Sequence, residues 1–85
     1  MTRLHVYVAD DCWACEETHR IVAEIESQFP EFEIRTFNLS EVKAPDAVFA
    51  TPTYVLNGRV VFLGNPTRDQ LRKMLAGMRR KVVKM

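Results

Sequence analysis

A chain of 85 residues, 47% apolar and 27% charged, is sized for one domain (1–85) with a small core and is not of disordered composition. Its formal charge of +1 gives no general attraction for nucleic acid or an acidic membrane surface. Two cysteines are too few for a secreted scaffold stapled by several disulfides.

The opening MTRLHVYVADD has no long apolar core or small-residue cleavage site of a signal peptide, and no later run approaches the length of a membrane span. A cytoplasmic monomer is expected. Leu4 to Val8 is β-rich and apolar on nearly both faces, as a central strand should be. Asp10 or Asp11 is then expected to cap a helix with Cys12 in its first turn. Cys15, Thr18, Val22, Ile25 and Phe29 recur at helical spacing with Ile21 beside them, and Pro30 stops the helix. Phe32 to Asn38 alternates as a second strand, so the first 38 residues form a βαβ crossover with parallel strands.

Ser40 to Lys43 has the composition of one helical turn, cut short by Pro45. Two further strands, Thr53–Leu56 and Arg59–Leu63, flank Asn57-Gly58, a dipeptide suited to a hairpin turn with positive φ at both positions. A last helix follows, opening at Pro66 or through a Thr67/Gln70 capping box, with Leu71, Met74, Leu75, Met78 and Val82 as its buried face. The basic end from Arg79 to Lys84 is expected to be a solvated tail. The fold class is α/β: βαβ followed by ββα, with a four-stranded mixed sheet flanked by helices.

The chemistry concentrates in Asp10-Asp11-Cys12-Trp13-Ala14-Cys15. A C-x-x-C pair is shared by zinc sites, metal carriers and redox proteins, but its place between a strand and the helix of a βαβ unit points to thiol exchange. The disulfide loop of so close a pair constrains the unfolded chain little, so the pair is a poor structural staple. Cys12 at the helix mouth gains from the unpaired N–H groups there, while Asp10 and Asp11 oppose its ionisation, so its pKa is expected to be lowered only moderately. Cys15, one turn inside on the apolar stripe, is better desolvated. Cys12 is then the nucleophile and Cys15 the resolving thiol. A metal site built from Cys12, Cys15 and His19 lacks a fourth ligand, because His5 lies at the far end of the first strand. Trp13 either lines a substrate groove or packs against the loop around Ala50.

With Cys12-Trp13-Ala14-Cys15, Thr51-Pro52-Thr53, Asn57-Gly58 and Gly64 at these spacings, the chain resembles the small thioredoxin- and glutaredoxin-like proteins over nearly its whole length. The resemblance implies a minimal thioredoxin fold and a cis peptide bond before Pro52, facing the cysteines. It also implies that the backbone of Thr51, with Trp13 and Ala14, meets an extended substrate. Disulfide-containing client proteins would be the partners. No cofactor would be bound, and electrons would come from a flavin-dependent, thioredoxin-type reductase or from glutathione. The chain departs from the family at four places, one of them the Trp13-Ala14 pair between the cysteines, which is neither the Gly-Pro of thioredoxins nor the Pro-Tyr common in glutaredoxins. Asp11 stands where thioredoxins carry Trp, and Val6 where they carry a buried Asp that accepts the proton of the resolving thiol. Gly64-Asn65-Pro66-Thr67 does not match the glutathione-binding signature of glutaredoxins. A soft-metal carrier for Cu(I), Zn or Hg(II) and a redox-sensing interaction module use the same cysteine pair and stay open as alternatives.

Overall fold

The computed structural model describes the backbone of residues 1–83 and side chains as far as Arg79. The chain runs β1 (Arg3–Val8), α1 (Cys15–Gln28), β2 (Glu33–Asn38), β3 (Thr53–Leu56), β4 (Arg59–Leu63) and α2 (Arg68–Val83). The strands form one mixed sheet in the order β2-β1-β3-β4. β1 pairs with β2 in parallel, from Arg3 with Glu33 to Val8 with Asn38, and with β3 in antiparallel fashion, from Leu4 with Leu56 to Tyr7 with Thr53. Holding an inner position, β1 is buried almost from end to end, and all four residues of β3 are buried.

Alternate residues of β1 (Leu4, Val6 and Val8) share one core with Cys15, Ile21, Val22 and Ile25 of α1, with Phe29 at its C-cap, and with Leu71 and Leu75 of α2. Side chains of a strand alternate between faces, so both helices lie over the same face of the sheet. Ile25, Leu71, Leu75 and Leu4 are fully buried, each contributing about 1.5–3 kcal/mol over an exposed position. The polar member of the α1 stripe, Thr18, is also fully buried.

Local chemistry sets the element ends. Asn57 (φ 49°) and Gly58 (φ 86°) both take the left-handed conformation that the β3–β4 turn needs. The capping box of α2 is formed: Thr67 Oγ1 accepts from the Gln70 amide at 3.1 Å, and Gln70 Oε1 accepts from the Thr67 amide at 2.9 Å. Pro66 therefore precedes the cap and is not the first helical residue.

Several expectations are corrected. α1 begins at Cys15 with Ala14 at the N-cap and no side-chain cap, so Cys12 stands in the turn ahead of the helix and not in its first turn. Asp10 does not cap the helix: it accepts from Asn38 Nδ2 at 2.7 Å, tying this loop to the end of β2. β2 begins at Glu33, because Phe32 stacks on Phe29 at 5.6 Å between ring centroids and closes the α1–β2 connection. At Ser40–Lys43 the expected single turn is present but begins earlier and does not extend into a helix: the amides of Glu41 and Val42 converge on the Asn38 carbonyl (2.9 and 3.2 Å), and Asn38 Oδ1 accepts from the Ser40 amide. Arg79 is not part of a solvated tail. Its guanidinium pairs with Glu31, donates to the Gln28 carbonyl and lies 4.5 Å over the Phe29 ring. Val82 and the basic run after Arg79 lie outside the described side chains.

Candidate active site: a cysteine pair at the head of the first helix

The strand β1 ends at Val8, and residues 9–14 turn the chain into α1. This places both cysteines at the end of the sheet where β3 begins. Tyr7 pairs with Thr53, so Pro52 lies level with Val8 at the point where the chain leaves β1. The Thr51–Pro52 bond is cis, and the Pro52 carbonyl accepts from the Gly64 amide at 2.8 Å. Thr53 Oγ1 donates back to the Ala50 carbonyl, fastening the loop before it.

The sulfurs of Cys12 and Cys15 lie at disulfide distance, with Cα atoms 5.3 Å apart. The Cys15 amide donates to the Cys12 carbonyl at 3.0 Å and closes the turn that carries them. Cys15 is only 3% exposed, whereas Cys12 is half-buried. A cavity of about 300 Å³ opens beside the pair, lined by both cysteines with Asp10, Glu16, His19 and Glu41. The local charge is thus acidic, with His19 the basic side chain among those lining residues. His5 is elsewhere, bonded to Glu33 at 2.7 Å. Among the described residues no group of three or more His, Cys, Asp or Glu is arranged to hold a metal ion.

Trp13, at the tip of the turn, is 91% exposed, so it does not pack against the loop around Ala50. Ala14 is held from below by a residue outside the expected site. Asn65, immediately after Gly64 (φ 85°), donates through Nδ2 to the Ala14 carbonyl at 2.9 Å. Its Oδ1 accepts from Thr18 Oγ1 at 2.6 Å and Tyr54 Oη at 2.9 Å. Burial pushes the Tyr54 hydroxyl up to about 12, so it stays neutral and able to donate. The one signal of this cluster in the sequence is Thr18, a polar residue in an otherwise apolar helical stripe.

A C-x-x-C pair ahead of a helix, beside a cis-proline strand of a four-stranded mixed sheet, defines the thioredoxin-like class. The thioredoxin-domain family matches residues 2–76. The chain is also 32% identical over 73 residues to a thioredoxin of Methanocaldococcus jannaschii, covering 81% of this chain and 86% of that protein. The chain therefore belongs to the thioredoxin family, and its cysteine pair fits dithiol–disulfide exchange.

Proposed function

We propose that the protein is a dithiol–disulfide oxidoreductase in which Cys12 is the nucleophile and Cys15 the resolving thiol. The observation that carries this reading is the unequal exposure of two cysteines whose sulfurs lie at bonding distance, Cys12 half-buried and Cys15 3% exposed. The Cys12 thiolate attacks one sulfur of a client disulfide and expels the other as a thiolate. The Cys15 thiolate then attacks the Cys12 sulfur and expels the second client thiolate, leaving the Cys12–Cys15 disulfide. Two electrons from a flavin-dependent, thioredoxin-type reductase or from glutathione restore the dithiol, with no bound cofactor in the protein. Trp13, Ala14 and the Thr51–Pro52 backbone form the substrate-facing rim, Trp13 through its exposed ring and Thr51 through strand-like pairing. The clients are disulfide-containing proteins, and the protein works as a cytoplasmic monomer. No helix of the described residues is long and apolar enough to cross a membrane.

The soft-metal carrier draws on the same thiols, but small carriers of that kind commonly run βαββαβ, with two strands between the helices, whereas here β2, β3 and β4 all stand between α1 and α2. Insulin reduction, run with a thioredoxin reductase and with glutathione in parallel, tests the proposal. Turnover with either donor is expected, and which donor works assigns the electron source. Inactivity of the fully reduced protein, present in excess over insulin, would contradict it.

A further inference from the structure

The side chain of Asn65 is the hub of a hydrogen-bond chain that ends between the two thiols. Two hydroxyls, from the fully buried Tyr54 and Thr18, donate to its Oδ1. Its Nδ2 donates to the Ala14 carbonyl, which also accepts from the Thr18 amide at 3.2 Å. The orientation of the amide is forced: flipped, it would set its oxygen against the Ala14 oxygen, two acceptors face to face. Ala14 and Cys15 share one peptide group, whose N–H donates to the Cys12 carbonyl at 3.0 Å. A peptide bonded at its oxygen is a stronger donor at its nitrogen, so the links reinforce one another. Tyr54 is on β3, Thr18 on α1 and Asn65 in the β4–α2 connection, so three separate parts of the fold converge on this one peptide.

We propose that Asn65 is a positioning residue of the dithiol site, holding the Ala14–Cys15 peptide so that Cys15 stands ready to close on Cys12. The proposal rests on the thiol-exchange reading for its purpose, though the thiol equilibrium that tests it does not. The bond that forms joins the Cys15 sulfur to the Cys12 sulfur, and the bond that breaks is the one from Cys12 to the client. The effective concentration of one thiol at the other depends on orientation. Releasing the peptide lowers that concentration, which slows resolution and weakens the closed disulfide against the dithiol.

The full-length protein and its Asn65→Ala, Asn65→Asp and Tyr54→Phe variants are equilibrated in glutathione redox buffers, and the fraction closed is read by alkylation and mass. Asn65→Asp has the shape of Asn and keeps both acceptor contacts, but it presents an oxygen to Ala14. Both Asn65 variants are expected to lower the closing constant about tenfold, the size of one lost buried hydrogen bond, a shift of about 30 mV towards a more oxidising pair. Tyr54→Phe keeps the Ala14 contact and should stay within about threefold. Mixed disulfides of Asn65→Ala with a client should persist correspondingly longer. A residue of merely structural importance would lower the melting temperature and leave the closing constant unchanged, which would overturn the proposal. A shift in Asn65→Asp alone would assign the effect to the new charge and overturn it equally. If the alanine variant does not fold, the isosteric aspartate is compared with Asn65→Ser, which is small and uncharged. A wild type without reductase activity but with an Asn65-dependent closing constant would reject the functional reading and keep this one.

Discussion

Cys12 and Cys15 differ by three positions in the chain and by much more in their surroundings. Cys12 lies half-buried in the turn before the helix, whereas Cys15 opens α1 and belongs to the buried core. A thiolate must be reached to react, so limiting iodoacetamide on the reduced protein at neutral pH should label Cys12 faster than Cys15 by about tenfold or more. Peptide mapping of the alkylated protein gives the ratio, and preferential labelling of Cys15 would reverse the assigned roles. The same pair marks how far single residues speak for themselves. Its spacing, its place after a strand and the inward position of Cys15 were all legible in the sequence. The N-cap was not. Asp10 is as good a capping residue as any by type, but its carboxylate is held by Asn38 at the end of a strand 28 residues away. Asn65 was likewise silent, because its function comes from three partners that only the folded chain brings together.

At the scale of elements, hydrophobic period located every strand and both helices, with the ends shifting by a few residues where a cap or an aromatic stack decided. What period could not foresee is how the helices are joined to each other. Arg68 at the start of α2 reaches Glu17 at 2.5 Å and Glu24 at 2.7 Å on α1, bracing the helix that Cys15 opens. The hydrogen bond to Arg68, and next the one to Arg20, holds the Glu17 carboxyl below its ordinary range. Glu31 is lowered by Arg79, and Glu33 chiefly by His5. A carboxylate with a lower pKa folded than unfolded adds stability above its unfolded pKa and loses it as pH falls through the folded one. Thermal stability should therefore decline as pH falls below the ordinary glutamate value of about 4.5. In Arg68→Ala the melting temperature should be lower at neutral pH, and its acid limb should be shallower, because Glu17 then titrates nearer its unfolded value. Melting curves from pH 7 to pH 2.5 give both slopes, and parallel limbs would show that the Arg68–Glu17 pair contributes nothing to stability.

For the molecule as a whole, the fold brings together motifs that are far apart in the chain. The Pro52 carbonyl holds the Gly64 amide, Asn65 follows Gly64, and Asn65 holds Ala14 between the cysteines. The proline strand, the glycine after the hairpin and the C-x-x-C turn thus form one bonded assembly at one end of the sheet. Such an assembly suits a site that must pass between dithiol and disulfide without rebuilding its backbone. Mixed-disulfide trapping tests the central claim most directly. Cys12→Ser and Cys15→Ser proteins are incubated with oxidised client protein and resolved on non-reducing gels. Cys15→Ser should accumulate an adduct joined through Cys12 and released by dithiothreitol, because nothing is left to resolve it, and Cys12→Ser should accumulate little or none. Equal trapping by both variants, or trapping by neither, would contradict an exchange that begins at Cys12 and ends at Cys15.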